Sequence, residues 1–337
     1  MIKDTLELVE GGRDLSMRQM SEAIGLIMEG RVEADRIARL LAALHQKGET
    51  VAEVAGAAAA MRRHMTPIRT GRDDVIDVVG TGGDRSGTFN ISTAAALVTA
   101  AAGVPVAKHG NRAVTSRSGA SDVLAALGVN IEADVPTVEA CLDELGICFC
   151  FAPLHHKAMK HVAPIRAKLK HPTIFNILGP LCNPAAAPLQ LLGVGRAELR
   201  PLLAEALALL GTRRTLVVHG SDGLDEVSLA AVTEVTEASG GELREFEWRA
   251  DDFGLRPAGL QTMLVEGPEQ SARLIREILD GRAGPPRDIV VANAAAALWT
   301  AARGESLLQC ARQAAEAIDG GAVRELLGRL AERSRAV

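Results

Sequence analysis

The sequence has no long hydrophobic run and no secretory leader. No stretch of about eighteen consecutive apolar residues occurs in the chain, which is the length that a membrane-spanning helix requires. The opening residues, MIKDTLELVEGGRD, lack the apolar segment of a signal peptide. We therefore expect a cytoplasmic protein that does not associate with a membrane.

Aromatic residues are rare, and basic charge is not in excess. The chain has six Phe, two Trp and no Tyr, and its 37 basic and 42 acidic residues give a net charge of −5. Nucleic-acid surfaces use aromatic stacking platforms or an excess of Lys and Arg. Because both features are scarce, we expect no nucleic-acid partner. A small anionic substrate remains compatible, since a few local cations and aligned backbone amides are enough to bind it.

Cysteines are few, and their number is odd. The five lie at positions 141, 148, 150, 182 and 310, which predicts reduced thiols and no disulfide framework. The spacing of Cys148 and Cys150 from His155 and His156 matches none of the usual zinc sites. We expect the histidines at the start of a helix near a substrate loop instead.

A polar, glycine-rich loop follows a short β-branched run near residue 80. Residues 75–79, VIDVV, predict a buried strand. Gly80, Gly82 and Gly83 then permit positive φ and leave backbone amides exposed. Such a turn can cradle an anion. The fingerprint G-x-G-x-x-G fails because position 85 is Arg, and no G-x-x-x-x-G-K-[ST] occurs in the chain, so the loop differs from the usual nucleotide-binding motifs.

A helix and a second polar loop follow. The helix is predicted over residues 93–102, with Ser92 as its N-cap and Asn90 beside it, where unpaired amides favour phosphate. A strand predicted at 104–107 leads to Lys108, His109, Gly110, Asn111 and Arg112. Ligands of open α/β sheets bind at the carboxyl ends of the strands. We therefore expect both loops to line one site.

These loops resemble the anthranilate phosphoribosyltransferase family. The similar segments are GTGGD at 80–84, GTFNIST at 87–93, KHGNR at 108–112, FAPLHHKAMKHVAPIR at 151–166, TIFNILGPLCNP at 173–184 and VVHGSDGLDEVS at 217–228. The resemblance implies transfer of the phosphoribosyl group of 5-phosphoribosyl 1-pyrophosphate (PRPP) to the amine of anthranilate. This is the second step of tryptophan biosynthesis from chorismate.

The resemblance also implies an α/β fold of the nucleoside phosphorylase type. A large domain with a central, mostly parallel sheet flanked by helices is joined to a small all-helical domain, through which a homodimer forms. We place the helical domain at 1–66, with a returning segment around 164–188 that carries five prolines. The large domain then comprises 72–163 and 189–337. Within it we predict a hairpin at 232–248, a strand at 289–292 and helical structure from 307 to 330.

The family's functional residues carry over to this chain by motif. For anthranilate, the resemblance implies Gly80, Asn111 and Arg166, and a planar guanidinium suits a carboxylate. For the metal, it implies Asp225 and Glu226 with the hydroxyl of Ser92, binding Mg²⁺ as two ions per subunit. For PRPP, it implies Gly80, Gly83, Asp84, Thr88, Asn90, Ile91, Ser92, Thr93, Lys108, His109, Gly110, Asn111, Arg112, Ala113, Val114, Thr115, Ser116 and Ala120. No residue is assigned as a catalytic acid or base.

The chain departs from the family pattern at two positions. Residues 118–122 read SGASD where the family has SGSAD, so Ala120 replaces a serine that contacts the sugar phosphate, and Ser121 is the neighbouring hydroxyl. Pro172 precedes TIFN where the family often has Arg. Two alternatives remain: a pyrimidine nucleoside phosphorylase, and a non-catalytic relative that binds nucleotides or nucleic acid. KHGNR, Arg166 and DGLDE disfavour the first, and the retained acidic pair disfavours the second.

Overall fold

The computed structural model describes residues 2–84, 86–112 and 118–336. Within these ranges the chain forms a small helical bundle and a seven-stranded sheet flanked by helices. The predicted α/β fold with an added helical domain is confirmed. No helix in these ranges is long and apolar enough to cross a bilayer.

Four N-terminal helices build the bundle. They are α1 (Ile2–Glu10), α2 (Met17–Met28), α3 (Ala34–Lys47) and α4 (Val51–His64). Capping boxes begin two of these helices, with Ser16 and Gln19 at α2 and with Thr50 and Glu53 at α4. Each box pairs backbone N–H groups that the first turn of a helix leaves without partners. The bundle core contains Met20, Ile24, Ile27, Met28, Ile37, Leu40, Leu41 and Leu44.

The sheet has the strand order β3-β2-β1-β4-β5-β6-β7. Its strands are β1 (Ile76–Gly80), β2 (Val106–Gly110), β3 (Ile147–Phe151), β4 (Leu189–Gly193), β5 (Arg214–Gly220), β6 (Thr233–Ser239) and β7 (Glu242–Trp248). Pairing is parallel from β3 to β5 and antiparallel for β6 and β7, which confirms the predicted hairpin. The strand order reverses direction between β1 and β4. Such a switch point leaves a crevice at the carboxyl ends of the strands.

Helices of the large domain flank this sheet. They are α5 (Ile91–Ala101), α6 (Ala120–Ala126), α7 (Val135–Leu145), α8 (Ala152–His155), α11 (Leu199–Leu209), α12 (Pro268–Leu279), α13 (Pro285–Thr300), α14 (Leu307–Asp319) and α15 (Ala322–Arg333). The alanine-rich helices α5 and α13 pack against each other, because small side chains allow their backbones to approach closely.

The proline-rich segment between β3 and β4 contains two short helices, α9 (Ala163–Arg166) and α10 (Phe175–Leu178). Its buried side chains Phe175, Leu178 and Leu181 belong to the same core as the bundle helices. The segment therefore packs against the bundle before the chain enters β4. We call residues 164–188 the crossover.

Two predictions of local structure were wrong. Residues 289–292 lie inside α13 and not in a strand, because a short, fully buried apolar run has no periodicity that separates helix from strand. Helix α5 begins at Ile91 with Asn90 as N-cap, so Ser92 lies in its first turn. Residues 307–330 are helical as predicted, in two helices that are separated by residues 320 and 321, both glycine.

Candidate active site

The carboxyl ends of β1 and β4 meet at two glycines. Gly80 and Gly193 are paired in register, and the Thr81 backbone N–H donates to the Gly193 carbonyl at 2.9 Å. A Cβ at Gly193 would lie 1.6 Å from the backbone oxygen of Asp225, and one at Gly80 would lie 2.8 Å from Asp225 Oδ2. Only glycine at these positions lets the loop that carries Asp225 approach the strand ends.

This loop, residues 221–232 between β5 and β6, carries the predicted acidic pair. The Gly82 N–H donates to Asp225 Oδ2 at 3.0 Å, and the Ser92 N–H donates to Glu226 Oε1 at 3.0 Å. One acid therefore contacts the glycine-rich turn, and the other contacts the first turn of α5. The structure brings the three predicted metal residues Ser92, Asp225 and Glu226 together.

The carboxyl groups in this crevice are crowded. Burial, with repulsion from Asp84, raises the pKa of Asp225 to about 7. Burial and the neighbouring Asp225 raise the pKa of Glu226 well above its usual range. The shifts show that the pair lacks sufficient positive charge to ionise fully near neutral pH.

Lys108 lies close enough to these acids that their negative charges act on its pKa. Its Nζ donates to the Val78 carbonyl at 2.7 Å and to Ser92 Oγ at 3.2 Å. It lies inside strand β2 and is 3% exposed, whereas we had predicted it in the loop after the strand. Burial lowers its pKa, which makes a nearby anion favourable.

The oxygen donors fit a hard divalent cation. Asp225, Glu226 and the Ser92 hydroxyl offer oxygen ligands of the type that Mg²⁺ prefers. Among the residues that the structure describes, no three His, Cys, Asp or Glu side chains already form a metal cage. This agrees with the way Mg²⁺ is usually held, by one or two carboxylates together with waters and substrate phosphates.

The glycine-rich turn continues into a segment fixed by the loop after residue 260. Gly83 has φ +84, and Thr88 forms an isolated antiparallel bridge with Leu264. The Phe89 N–H donates to the Met263 carbonyl at 2.8 Å. Asp84 lies close to Asp225, since its charge acts on that pKa. The turn is thereby held facing the acids.

At the start of α5, backbone and side chains have separate roles. The Asn90 N–H donates to Ser271 Oγ at 2.9 Å, and its side-chain amide donates to the Ser118 carbonyl at 3.4 Å. The Thr93 hydroxyl donates to Asn90 Oδ1. Ile91 is 1% exposed, and its N–H donates to the Phe89 carbonyl at 2.8 Å. The backbone N–H groups of Asn90, Ile91 and Ser92 are therefore all hydrogen-bonded within the protein.

His109 also lies in β2 and not in the loop predicted after it, and its ring joins two distant segments. His109 Nδ1 lies 3.1 Å from the Gly179 carbonyl, and its Nε2 lies 3.2 Å from His156 Nε2. Its backbone N–H donates to Asp77 Oδ1 at 3.1 Å. Burial lowers the pKa of His109 well below 6.5. The ring is therefore neutral and links the sheet to the crossover.

The residues that follow His109 contact several different elements. A Cβ at Gly110 would lie 3.1 Å from the Ala120 Cβ. Asn111 accepts the Arg112 N–H through Oδ1 at 2.8 Å, and the Arg112 guanidinium faces Phe151 and pairs with Glu132 at 3.5 Å. The predicted PRPP contacts Ala113, Val114, Thr115 and Ser116 lie outside the described residues.

Ser121 and Ala120 lie in different surroundings. Ser121 is fully buried, and its hydroxyl has no hydrogen-bond partner among the described residues. Ala120 begins α6 and is only partly buried. Because adjacent helical positions point about 100° apart, the two side chains face different surroundings. The hydroxyl at position 121 points into the protein.

Arg166 lies at the end of α9, away from the sheet edge. Its Nη2 donates to Asn176 Oδ1 at 3.2 Å, and its guanidinium lies 5.7 Å from the centre of the Phe175 ring. Within the described residues it has no hydrogen bond or ion pair with the loops at 80–93 or 108–112. The connection is indirect, since α10 carries Asn176 and is followed by Gly179, whose carbonyl contacts His109.

Several residues of this region were not predicted. Gly193 was overlooked, although it lies at the carboxyl end of a strand as Gly80 does. Asp77, Ser271 and Asn293 have no local pattern that indicates a role. Folding brings them into contact with residues of the site that are distant in the sequence.

Comparisons with known proteins agree with this geometry. Residues 72–324 match the glycosyl transferase family a/b domain, and residues 3–65 match the helical bundle domain of that family. The anthranilate phosphoribosyltransferase of Rhodospirillum rubrum is 51% identical over 98% of this chain and 94% of the relative. That of Rhodopirellula baltica is 47% identical over 98% of this chain and 96% of the relative. The chain belongs to the anthranilate phosphoribosyltransferase family.

Solved structures give the same result. Anthranilate phosphoribosyltransferase from Thermus thermophilus is 42% identical, with a TM-score of 0.94 over 99% of this chain and 100% of that chain. The Saccharomyces cerevisiae enzyme in complex with PRPP and Mg is 29% identical, with a TM-score of 0.91 over 100% of this chain and 98% of that chain. The chain is a pentosyltransferase, and its reaction transfers the phosphoribosyl group of PRPP to anthranilate. The predicted function is confirmed.

Proposed function

We propose that the crevice between β1, β2 and the loop at 221–232 is where PRPP and Mg²⁺ bind. The observation that carries this proposal is the pair of hydrogen bonds from Gly82 to Asp225 and from Ser92 to Glu226. They place the two acids beside both segments suited to phosphate. The yeast relative in complex with PRPP and Mg supports the choice of ligands.

In this assignment the segments after β1 and at the start of α5 contact the phosphates, and Lys108 adds a positive charge. Asp225, Glu226 and Ser92 hold Mg²⁺, as two ions. The metal, when bound, spreads the negative charge of the departing pyrophosphate. Asp225 is protonated in part near pH 7, so it releases a proton when it binds a cation.

We assign anthranilate to the side of the crevice where the crossover lies. Arg166 binds its carboxylate, with Asn111 and the Gly80 turn near the amine. A yeast relative in complex with 4-fluoroanthranilate supports an aromatic acid as acceptor. The aromatic amine is neutral near pH 7, so no strong base is needed. Catalysis then consists of orientation and electrostatic stabilisation of positive charge on the ribose.

We also propose that the protein forms a homodimer and is located in the cytoplasm. The bundle supplies the subunit contact in the homodimer we propose. The reaction uses small charged metabolites, which is consistent with the cytoplasm.

The metal assignment is tested with Asp225→Asn combined with Glu226→Gln. We expect the Mg²⁺ concentration for half-maximal activity to rise about tenfold or more, because two charge-assisted contacts are lost. Activity is followed by the loss of anthranilate fluorescence, and PRPP binding by calorimetry over a range of Mg²⁺ concentrations. Asp222→Asn, in the same loop, is the matched control. Normal activity of the double variant at low Mg²⁺ would contradict the assignment.

A further inference from the structure

Helix α13 carries a completely buried amide, Asn293, in the middle of an apolar stretch. Asn293 is 0% exposed, as are Ile289 and Ala297 one turn before and after it. Burying an amide is unfavourable unless its polar atoms find hydrogen-bond partners. The partners of Asn293 therefore indicate why it is placed there.

Two of its three hydrogen bonds go to a single residue of another element. The Val227 N–H donates to Asn293 Oδ1 at 2.8 Å, and Asn293 Nδ2 donates to the Val227 carbonyl at 3.0 Å. The third runs from Nδ2 to the Ile289 carbonyl of its own helix at 2.9 Å. Both backbone groups of Val227 are thus fixed by one side chain.

Val227 directly follows the acidic pair. Val227 is itself 1% exposed. Packing therefore fixes its side chain, and Asn293 fixes its backbone. Glu226, one position earlier, accepts the Ser92 N–H of α5. Helix α13 packs against α5. Asn293 therefore connects the backbone of the acidic loop to the helix that supports the phosphate-binding terminus.

We propose that Asn293 is a positioning residue, which holds Asp225 and Glu226 at the distance from the N-terminus of α5 at which they bind a divalent cation together with the pyrophosphate. The inference rests on the proposed metal role of the two acids. Thr300 provides a contrast within the same helix, since it is also buried but its hydroxyl donates only to the Ala296 carbonyl of α13, at 2.7 Å.

The test compares Asn293→Ala with Thr300→Ala in the full-length chain. PRPP is titrated calorimetrically at several Mg²⁺ concentrations, and backbone hydrogen exchange is measured for the peptide that contains residues 221–232. We expect Asn293→Ala to raise the Mg²⁺ concentration needed for PRPP binding at least fivefold and to speed exchange at Val227. Thr300→Ala changes neither, although both variants lose stability. The KM for anthranilate is expected to stay within twofold of the unsubstituted chain.

Asn293→Ser is the milder variant in case the alanine variant does not fold. Its hydroxyl can donate and accept a hydrogen bond and adds no charge beside the acidic pair, so we expect an Mg²⁺ requirement between those of the original chain and Asn293→Ala. Equal Mg²⁺ requirements for Asn293→Ser, Thr300→Ala and the unsubstituted chain would overturn the inference. The Asp225→Asn, Glu226→Gln double variant distinguishes a failure of the positioning role from a failure of the metal assignment. If it raises the requirement and the Asn293 variants do not, only the positioning role fails; if it also leaves the requirement unchanged, the metal assignment fails.

Discussion

Replacing Gly193 by alanine is expected to displace the acidic loop without removing any functional group. The new Cβ would lie 1.6 Å from the backbone oxygen of Asp225, and an ordinary contact begins at 3.4 Å. The difference requires a shift of about 1.8 Å between β4 and the loop. Overpacking of this kind costs about 1–3 kcal/mol of stability.

A shift of that size also breaks the contacts that join the acids to the phosphate segments. The Gly82 to Asp225 and Ser92 to Glu226 distances are both 3.0 Å, so they would exceed hydrogen-bonding range. Each charge-assisted bond is worth about 1.5–3 kcal/mol. We therefore expect Gly193→Ala to lower kcat/KM for PRPP by about a factor of ten or more.

The assay is anthranilate fluorescence at varied PRPP and Mg²⁺, with thermal unfolding measured alongside. Gly328→Ala is the matched control, because a Cβ at Gly328 in α15 meets nothing within 4 Å. The same change there is expected to leave activity intact and to raise stability slightly, since alanine favours a helix. A Gly193→Ala enzyme with the original Mg²⁺ requirement and unfolding temperature would refute the reasoning.

Three further predictions concern single side chains. Arg166→Ala should raise the KM for anthranilate by the loss of a charge-assisted pair worth about 1.5–3 kcal/mol and leave the KM for PRPP unchanged; an equal loss for both substrates would point to a structural role. Ala120→Ser should tighten PRPP by about 0.5–1.5 kcal/mol, whereas Ser121→Ala should do little; a large loss in Ser121→Ala in a PRPP titration would contradict the assignment. Burial raises the pKa of Asp77 to about 6 in the folded chain, from 3.8, so the folded state retains a proton that the unfolded state releases. Its contribution to stability is full below about pH 4 and is lost as the pH rises through about 6, by about 3 kcal/mol in all. Asp77→Asn should remove this dependence, and urea unfolding from pH 4 to 7 measures it; identical pH profiles for the two chains would show that Asp77 titrates normally.

The sequence was informative where local chemistry decides the structure. The capping boxes at Ser16 and Thr50 and the turn at Gly80 are formed by residues that are close together in the sequence. These patterns indicate where two helices begin and where β1 ends. The position of Asp225 beside Gly82 did not, because the two residues are brought together only by the order of strands in the sheet. The amide of Asn293 likewise has no local pattern, since its partner lies 66 positions away in the sequence.

Fully buried elements were the hardest to assign. Residues 289–292 are buried on every side, so the sequence contains no polar face that would distinguish a helix from a strand. Lys108 was placed after its strand because a charged residue is rarely expected inside one. The structure keeps it there with the Val78 carbonyl as partner.

The crossover packs with the bundle, while the phosphate segments belong to the sheet. On the assignment proposed above, the carboxylate of the acceptor is bound by one continuous stretch of chain, and the donor is held by residues elsewhere. Substitutions in the crossover then alter which amine is accepted without changing how the sugar phosphate is bound. Because the two functions lie in different segments, new acceptor specificities can evolve while the donor site stays unchanged. They can also be selected from a library in which only residues 164–188 vary.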